Sequence, residues 1–401
     1  MPLEGIRVLE LGHIVAAPAG SLLMADLGAD VIKVENPQSG DQSRSMPNQG
    51  SSFFFFNRNK RGIAINLKAP AGRDAFLALL KTSDVVMDNY APGVLKDLGI
   101  DYEVASKINP RIIYCAIKGF LPGPYGHRPL LDELAQMQGG LAYMTGPVGQ
   151  PLRAGASIVD IGAGTYGVLG VMAALLERER TGTGQSIQVG LFETVAFWVG
   201  QWISSAAVAG RVPDPMPAMA MGTRMGWGVY QLFDTADGRQ VFIGATSNAH
   251  WERLCKEFGL EDLLADESLN TNRKRVTQRP RVIPRVQEAV GKFTVSEIVE
   301  HLERAKLPYA PLNTPADLIE DIHLNEGGHL MEIELPDRRK IKHPALPMSS
   351  DSYSCSVRCH APKLGEHTQA LLSELGYSPE TIAQLAEQGA IGLESEYLFG
   401  Q

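Results

Sequence analysis

The first part of the chain alternates short apolar runs with stretches in which apolar residues recur at helical spacing. The short runs predict strands and the longer stretches predict helices. The predicted strands are residues 6–10, 30–35, 62–67, 85–89 and 112–117, and the predicted helices include 17–27 and 71–81. Regular alternation of this kind predicts an open parallel sheet with helices on both faces.

The turn after the first predicted strand lacks the glycine pattern of a dinucleotide site. Residues 11–18 have the sequence LGHIVAAP, in which G-x-G-x-x-G is missing. The sequence therefore does not predict a nicotinamide dinucleotide, and we expect no tightly bound cofactor.

A change of pattern after residue 192 indicates a second domain. A helical stretch over 192–209 precedes a segment rich in proline and methionine, 211–222, which predicts a linker or lid. Two strand patterns then flank Asp237 and Gly238, which predicts an antiparallel hairpin. We predict an α/β fold with three parts: a large Rossmann-like domain of residues 1–200 and 330–401, a linker of 201–220 and a small α+β domain of 221–329.

Asp160 lies where an apolar run meets a glycine-rich helix start. Residues 156–159 predict the end of a buried strand, and the spacing becomes helical from residue 164. The helix N-terminus would hold the carboxylate ionised, and the glycines at 162, 164 and 167 would let a bulky group approach the backbone. Two interpretations remain open here: Asp160 is a nucleophile, or it only caps the helix.

Charge and composition exclude several classes of partner. The 401 residues carry a net charge of −8, and no block of lysine or arginine stands out, so we expect neither nucleic acid nor an anionic membrane surface as a partner. The N-terminus enters a strand pattern without the features of a signal peptide, and no uninterrupted apolar run reaches membrane-spanning length. These features predict a cytoplasmic protein.

The four cysteines do not predict a disulfide framework in a chain of this length. Cys355, Cys359 and His360 could suggest a metal site, but a second ligand pair at zinc spacing is missing. We expect no metal.

Several short motifs, taken in order, resemble the family III CoA-transferases, the group that includes formyl-CoA transferase and carnitine CoA-transferase. The motifs are LEGIRVLE at 3–10, LGADVIKVE at 27–35, NKR at 59–61, NYAPG at 89–93, INPRIIY at 108–114, RTGTGQ at 180–185 and LGEHT at 364–368. Each motif is weak by itself, but the ordered set covers nearly the whole chain.

The resemblance implies that Asp160 is a covalent nucleophile in the transfer of CoA between an acyl-CoA and a small carboxylic acid. It also implies an interlocked homodimer. The positions that match CoA contacts of the family are Arg61, Lys68, Asn89, Tyr90, Lys96, Leu98 and Arg128. Asn36 and Asp97 depart from the family pattern, which has basic residues there.

The resemblance assigns further positions around the reacting aspartate. His13 would lie near the thioester, and Val15 stands where the family has a glutamine. Asp132 matches a second acidic residue, which either orients the surroundings of Asp160 or caps its own helix. Residues 220–228, with Gly222 and Arg224, match a glycine-rich loop of the small domain that covers the aspartate, and Arg224 could bind a substrate carboxylate.

Two other functions remain as alternatives. An α-methylacyl-CoA racemase of the same fold would need a histidine where this chain has Leu131, and a non-catalytic CoA-binding protein would not need Asp160. For the transferase we expect succinyl-CoA as donor and a dicarboxylic or hydroxy acid such as mesaconate, itaconate or citramalate as acceptor.

Overall fold

A computed structural model of the chain describes residues 1–46, 50–222 and 226–395. The chain forms two compact units. The first unit comprises Met1–Leu141, Ala154–Ile203 and Ile322–Gln401, and the second comprises Ala142–Arg153 and Ser204–Asp321.

Strands and helices alternate through the first unit. The strands in chain order are β1 (Arg7–Leu11), β2 (Asp30–Glu35), β3 (Lys60–Ile65), β4 (Val85–Asp88), β5 (Ile113–Lys118), β6 (Ser186–Gly190), β7 (Val229–Asp234), β8 (Gln240–Ala245), β9 (Tyr309–Pro311), β10 (Leu330–Glu334), β11 (Lys340–Pro344) and β12 (Ile391–Gly392). The α-helices are α1 (Ala16–Asp26), α2 (Ser51–Asn57), α3 (Pro70–Leu80), α4 (Val94–Asp97), α5 (Tyr102–Ile108), α6 (Asp132–Gln138), α7 (Leu141–Thr145), α8 (Ile158–Thr181), α9 (Leu191–Trp198), α10 (Gly200–Ala209), α11 (Met216–Met221), α12 (Asn248–Glu257), α13 (Glu261–Ala265), α14 (Asn272–Thr277), α15 (Arg279–Val290), α16 (Val295–Arg304), α17 (Ile322–Glu326), α18 (Thr368–Glu374) and α19 (Pro379–Glu387).

A mostly parallel sheet forms the centre of the first unit, as predicted. Its strand order is β12-β3-β2-β1-β4-β5-β6, and β12 alone among these strands runs antiparallel to its neighbour. Alternate residues of each strand face opposite sides of a sheet. Accordingly, Val8 and Val85 pack in one apolar core with α1 and α8, whereas Leu9 and Val86 pack in another with α3 and α5.

The second unit has an antiparallel sheet of order β7-β8-β9, in which β7 and β8 form the predicted hairpin. The helices of this unit cover the sheet with an apolar core that includes Phe233, Trp251 and Leu302. Helix α16 begins with a capping box between Thr294 and Glu297, which satisfies two backbone donors at its start.

Three sequence predictions need correction. Residues 156–159 form no strand, because α8 begins at Ile158. The predicted linker 201–220 contains most of α10 and of α11. Strands β6 and β12 were not predicted.

Helix α8 is long and apolar enough to cross a membrane by length and composition. Its buried residues, among them Val159, Ala163 and Val171, belong to the core of the first unit.

Candidate active site

The carboxyl ends of β1, β4 and β5 lie side by side in the parallel sheet, and the segments that follow them line a cavity of about 500 Å³. Ligands of open parallel sheets bind at this edge. Of the residues predicted from the sequence, those that line the cavity are His13, Val15, Asn89, Tyr90, Arg128, Asp132 and Asp160.

Asp160 is the third residue of α8, and the N-cap position is Ser157. The interpretation of Asp160 as the helix cap is therefore wrong. Ser157 makes no capping bond through its side chain. Instead, Oδ2 of Asp132 accepts hydrogen bonds from the backbone nitrogens of Val159 at 2.8 Å and of Asp160 at 3.1 Å. A carboxylate from another helix thus satisfies the first donors of α8.

The environment of Asp160 favours the protonated form. Burial, followed by the negative charges of Asp132 and Glu133, raises the pKa of Asp160 to about 7. This direction is opposite to the expectation that the helix N-terminus holds Asp160 ionised, because burial makes the largest contribution and the charges of Asp132 and Glu133 add to it. A partly desolvated carboxylate with a pKa near neutrality can act as a nucleophile or as a base.

The glycines that follow Asp160 accommodate protein groups. A Cβ atom at Gly162 would lie 2.1 Å from the ring of Trp198, and one at Gly164 would lie 2.6 Å from the carbonyl oxygen of Ala16. The prediction that these glycines open the backbone to a ligand is therefore wrong for Gly162 and Gly164. Their missing side chains leave room for Trp198 and for helix α1 instead.

Asn89 holds the turn between β1 and α1. Its Oδ1 accepts from the backbone nitrogen of His13 at 2.9 Å, and its Nδ2 donates to the carbonyl oxygen of His13 at 2.9 Å. The next residue, Ile14, has a φ of 62°, which is strained for a β-branched side chain. The ring of His13 packs edge-on against Tyr90, with centroids 4.6 Å apart. Burial, followed by the charge of Lys33, lowers the pKa of His13, so the imidazole is neutral at pH 7.

Below this turn lies a network of fully buried charges. Glu10 accepts hydrogen bonds at 2.7 Å from each of Lys33 and Lys60. Lys33 also donates to Asp41 at 2.8 Å, and Asp41 accepts from the backbone nitrogen of Ile14 at 3.1 Å. Burial by itself would raise the pKa of Glu10, but the two lysines outweigh it and lower the pKa. The network therefore connects the centre of the sheet to the strained turn.

Lys118 is a cavity residue that sequence reasoning missed. It ends β5, contacts the buried carboxylate of Asp88 and donates to the carbonyl oxygen of Tyr90 at 2.8 Å. The sequence feature that could have identified Lys118 is its position at the end of a buried strand, because residues there lie at the ligand edge of the sheet. The other cation that lines the cavity, Arg128, lies over the ring of Tyr125 at 4.3 Å.

The remaining predicted residues lie elsewhere. Lys68 and Leu98 line a separate hollow of about 210 Å³, together with Arg73 and Asp97. Lys96 is exposed on α4.

Arg61 lies at the amino end of β3, away from the cavity edge, where it binds Asp30 at 2.6 Å and Glu374 at 2.6 Å. Gly222 follows α11 in the second unit, and Arg224 lies outside the described residues.

Within residues 1–46, 50–222 and 226–395, no cluster of three or more histidine, cysteine or acidic side chains could hold a metal ion. An aspartate whose pKa is raised by burial and nearby charges, in a cavity at the ligand edge of a parallel sheet, is typical of an enzyme active site. Residues 3–368 match CoA-transferase family III, and the chain belongs to that family. The predicted family is confirmed.

Named relatives agree with this assignment. The chain is 35% identical to the succinyl-CoA:glutarate CoA-transferase of Mus musculus, over 97% of this chain and 90% of the relative. It is 33% identical to the succinyl-CoA–L-malate CoA-transferase beta subunit of Chloroflexus aurantiacus, over 98% of both chains. The crystal structure of a CAIB/BAIF family protein from Brucella suis superposes with a TM-score of 0.85 at 31% identity, covering 94% of this chain and 99% of that one. The chain is thus a CoA-transferase.

Proposed function

We propose that Asp160 is the covalent nucleophile of CoA transfer from an acyl-CoA to a small carboxylic acid. The observation that carries the proposal is a partly desolvated aspartate whose pKa is raised to about 7, located in the cavity at the carboxyl edge of the sheet. Such a carboxylate is ionised in a useful fraction at neutral pH and, with few waters around it, reacts readily with a thioester.

The reaction proceeds in balanced covalent steps. A carboxylate oxygen of Asp160 attacks the thioester carbonyl, the C–S bond breaks, and CoA leaves as a thiolate, which gives a mixed anhydride. The thiolate then attacks the aspartyl carbonyl of the anhydride and releases the donor acid, so that Asp160 carries CoA as a thioester. The acceptor carboxylate attacks this thioester, and the steps run in reverse to give the new acyl-CoA and free Asp160.

Two cations among the described residues of the cavity support an anionic substrate. Lys118 and Arg128 line a cavity whose other ionisable side chains include Asp132, Glu133 and Asp160, so a substrate carboxylate needs them as counter-charges. We infer that succinyl-CoA is the donor and a dicarboxylic or hydroxy acid, of the mesaconate, itaconate or citramalate kind, is the acceptor. The names of the relatives, which act on succinyl-CoA with glutarate or malate, support a dicarboxylate.

The hollow that contains Lys68 and Leu98 provides a place for the nucleotide end of CoA. Lys68 and Arg73 supply positive charge there, and Pro70 opens α3 beside them. Phosphates are bound by such cations. CoA would be bound as a substrate, and the enzyme would act in the cytoplasm without a tightly bound cofactor.

We infer that the chain forms a homodimer, interlocked as in the family it resembles. Leu169 and Leu176 lie on one face of α8 and are 64% and 74% exposed, and Phe197 on α9 is 74% exposed. Large apolar side chains grouped on a surface favour burial against a partner. Sedimentation of the wild type tests this: a dimer is expected, and a monomer would contradict it. Because interlocked chains separate only on unfolding, Leu169→Glu/Leu176→Glu is expected to lower the midpoint of denaturation of the dimer rather than to release folded monomers.

Mass spectrometry after trapping tests the covalent step. The protein is incubated with a panel of acyl-CoAs, treated with hydroxylamine or borohydride and digested, beside Asp160→Asn, which keeps the shape of the side chain. We expect modification of the peptide that contains Asp160 in the wild type only. Lack of any adduct, together with exchange of the α-proton of an acyl-CoA in deuterated water, would instead favour the racemase, although Leu131 offers no base.

A further inference from the structure

Gln136 is a fully buried polar residue on α6, one turn after Asp132. Its Nε2 donates to Oδ1 of Asp132 at 2.5 Å. Its Oε1 accepts from the backbone nitrogen of Ala154 at 2.8 Å. The amide therefore joins Asp132 to the segment that leads into α8, with one bond on each side.

The bond to Asp132 has a consequence for α8. Because Gln136 binds Oδ1 of Asp132, the other oxygen, Oδ2, points to the backbone nitrogens of Val159 and Asp160. Ser157 at the N-cap makes no side-chain bond of its own, so the start of the helix depends on the rotamer of Asp132. An amide that fixes a carboxylate by hydrogen bonding holds it far better than packing alone.

We propose that Gln136 is a positioning residue for the CoA-transfer reaction, which locks Asp132 against the N-terminus of α8 and thereby sets the position and the charge environment of Asp160. The inference rests on the proposed function, since it assumes that Asp160 reacts. Gln136 itself is not among the residues that line the cavity.

Loss of Gln136 would act on Asp160 through two effects of the same sign. The negative charge of Asp132 would be less fixed near Asp160, and the backbone nitrogen of Asp160 would be free to stabilise the carboxylate. Each effect lowers the pKa of Asp160. Among the described residues, the ionisable groups near Asp160 are Asp132 and Glu133 on α6 and, in the lining of the same cavity, His13, Tyr90, Lys118 and Arg128.

The experiment compares Gln136→Met, which has nearly the same shape but no hydrogen-bonding groups, with Gln138→Met on the exposed side of the same helix. Asp132→Asn keeps an oxygen that can accept hydrogen bonds from α8 but removes the charge. The double variant Gln136→Met/Asp132→Asn completes a double-mutant cycle, which tests whether the two substitutions act through the same interaction. The readout is the single-turnover rate of aspartyl adduct formation against pH, together with kcat and KM for the acyl-CoA.

We expect Gln136→Met to lower the apparent pKa of adduct formation by about one pH unit and kcat by about tenfold. Gln138→Met should match the wild type, and in the Asp132→Asn background Gln136→Met should shift the pH profile no further. An unchanged pH profile in a folded Gln136→Met protein would overturn the inference, as would an additive shift in the double variant. Absence of adduct in the wild type would instead overturn the proposed function.

Discussion

Gly20 and Gly164 touch backbone to backbone where α1 crosses α8: a Cβ atom built on Gly20 would lie 2.9 Å from the carbonyl oxygen of Gly164. A Cβ atom on Gly164 would in turn lie 2.9 Å from the nitrogen of Gly20. The two glycines therefore set the separation of the helix that follows β1 and the helix that carries Asp160.

Gly164→Ala is expected to destabilise the protein by about 2–4 kcal/mol, because the added methyl group meets backbone atoms that cannot move aside. Gly155→Ala is the matched control, since nothing lies within 4 Å of a Cβ atom there. Chemical denaturation of both variants measures the effect. Equal stability of the two variants would contradict the close crossing.

Glu10→Gln is expected to lower the free energy of unfolding by about 3–5 kcal/mol, because Lys60 would lose its carboxylate partner and leave one uncompensated buried charge, whereas Lys33 keeps Asp41. Glu252→Gln removes an exposed carboxylate that binds Lys256, and it should leave the denaturation midpoint unchanged. A small effect of Glu10→Gln would mean that the buried lysines are not both charged.

Asn89→Leu is expected to raise KM for the acyl-CoA by about tenfold, since the turn of His13 and Ile14 would lose both of its bonds to the Asn89 amide. Asn109→Leu removes three side-chain bonds, two to the carbonyl oxygens of Leu80 and Ser83 and one from the backbone nitrogen of Arg111, on a segment that does not line the cavity. It should reduce stability and leave KM unchanged. Steady-state kinetics of both variants decide whether Asn89 positions the turn.

The rate of aspartyl adduct formation is expected to rise about tenfold between pH 6 and pH 8, because the reactive form of Asp160 is the carboxylate and its pKa is raised to about 7. The rate should level off above pH 8. This rate is measured as the release of CoA thiolate after rapid mixing of the protein with an acyl-CoA. Asp160→Asn, which cannot form the adduct, provides the background rate. A rate that does not change across this range would show that ionisation of Asp160 does not limit the step.

Asp160→Asn is expected to be more stable than the wild type at pH 8, by about 4 kcal/mol, and nearly equal to it near pH 4. The pKa of Asp160 is higher in the folded state than in the unfolded chain, so the folded state holds the proton between about pH 4 and pH 7, and stability falls as pH rises through that interval. Chemical denaturation of both proteins at pH 4 and pH 8 tests the sign of this difference in stability. Greater stability of the wild type at pH 8 would mean that the folded protein favours the charged form.

The parallel sheet and its helices could be predicted because the hydrophobic pattern of each element lies within its own short segment of sequence. Residues 30–35 and 85–89 each contain several β-branched or apolar residues in a short segment, and β2 and β4 lie there within one residue. The segment 156–159 was misassigned because a short apolar run fits a strand or a helix start equally well, and the packing of α8 decided between them.

The sequence by itself determined the α/β architecture and the family, since these depend on local periodicity and on short motifs read in order, and it made Asp160 the candidate nucleophile. Only the tertiary structure decided that Asp132 caps α8, that Gln136 fixes Asp132 and that Lys118 reaches the cavity. Hydrogen bonds and charges between residues far apart in the chain form only when their elements pack, and no local pattern specifies the partner. The raised pKa of Asp160 follows from that packing, because burial and the nearby carboxylates exist only in the folded protein.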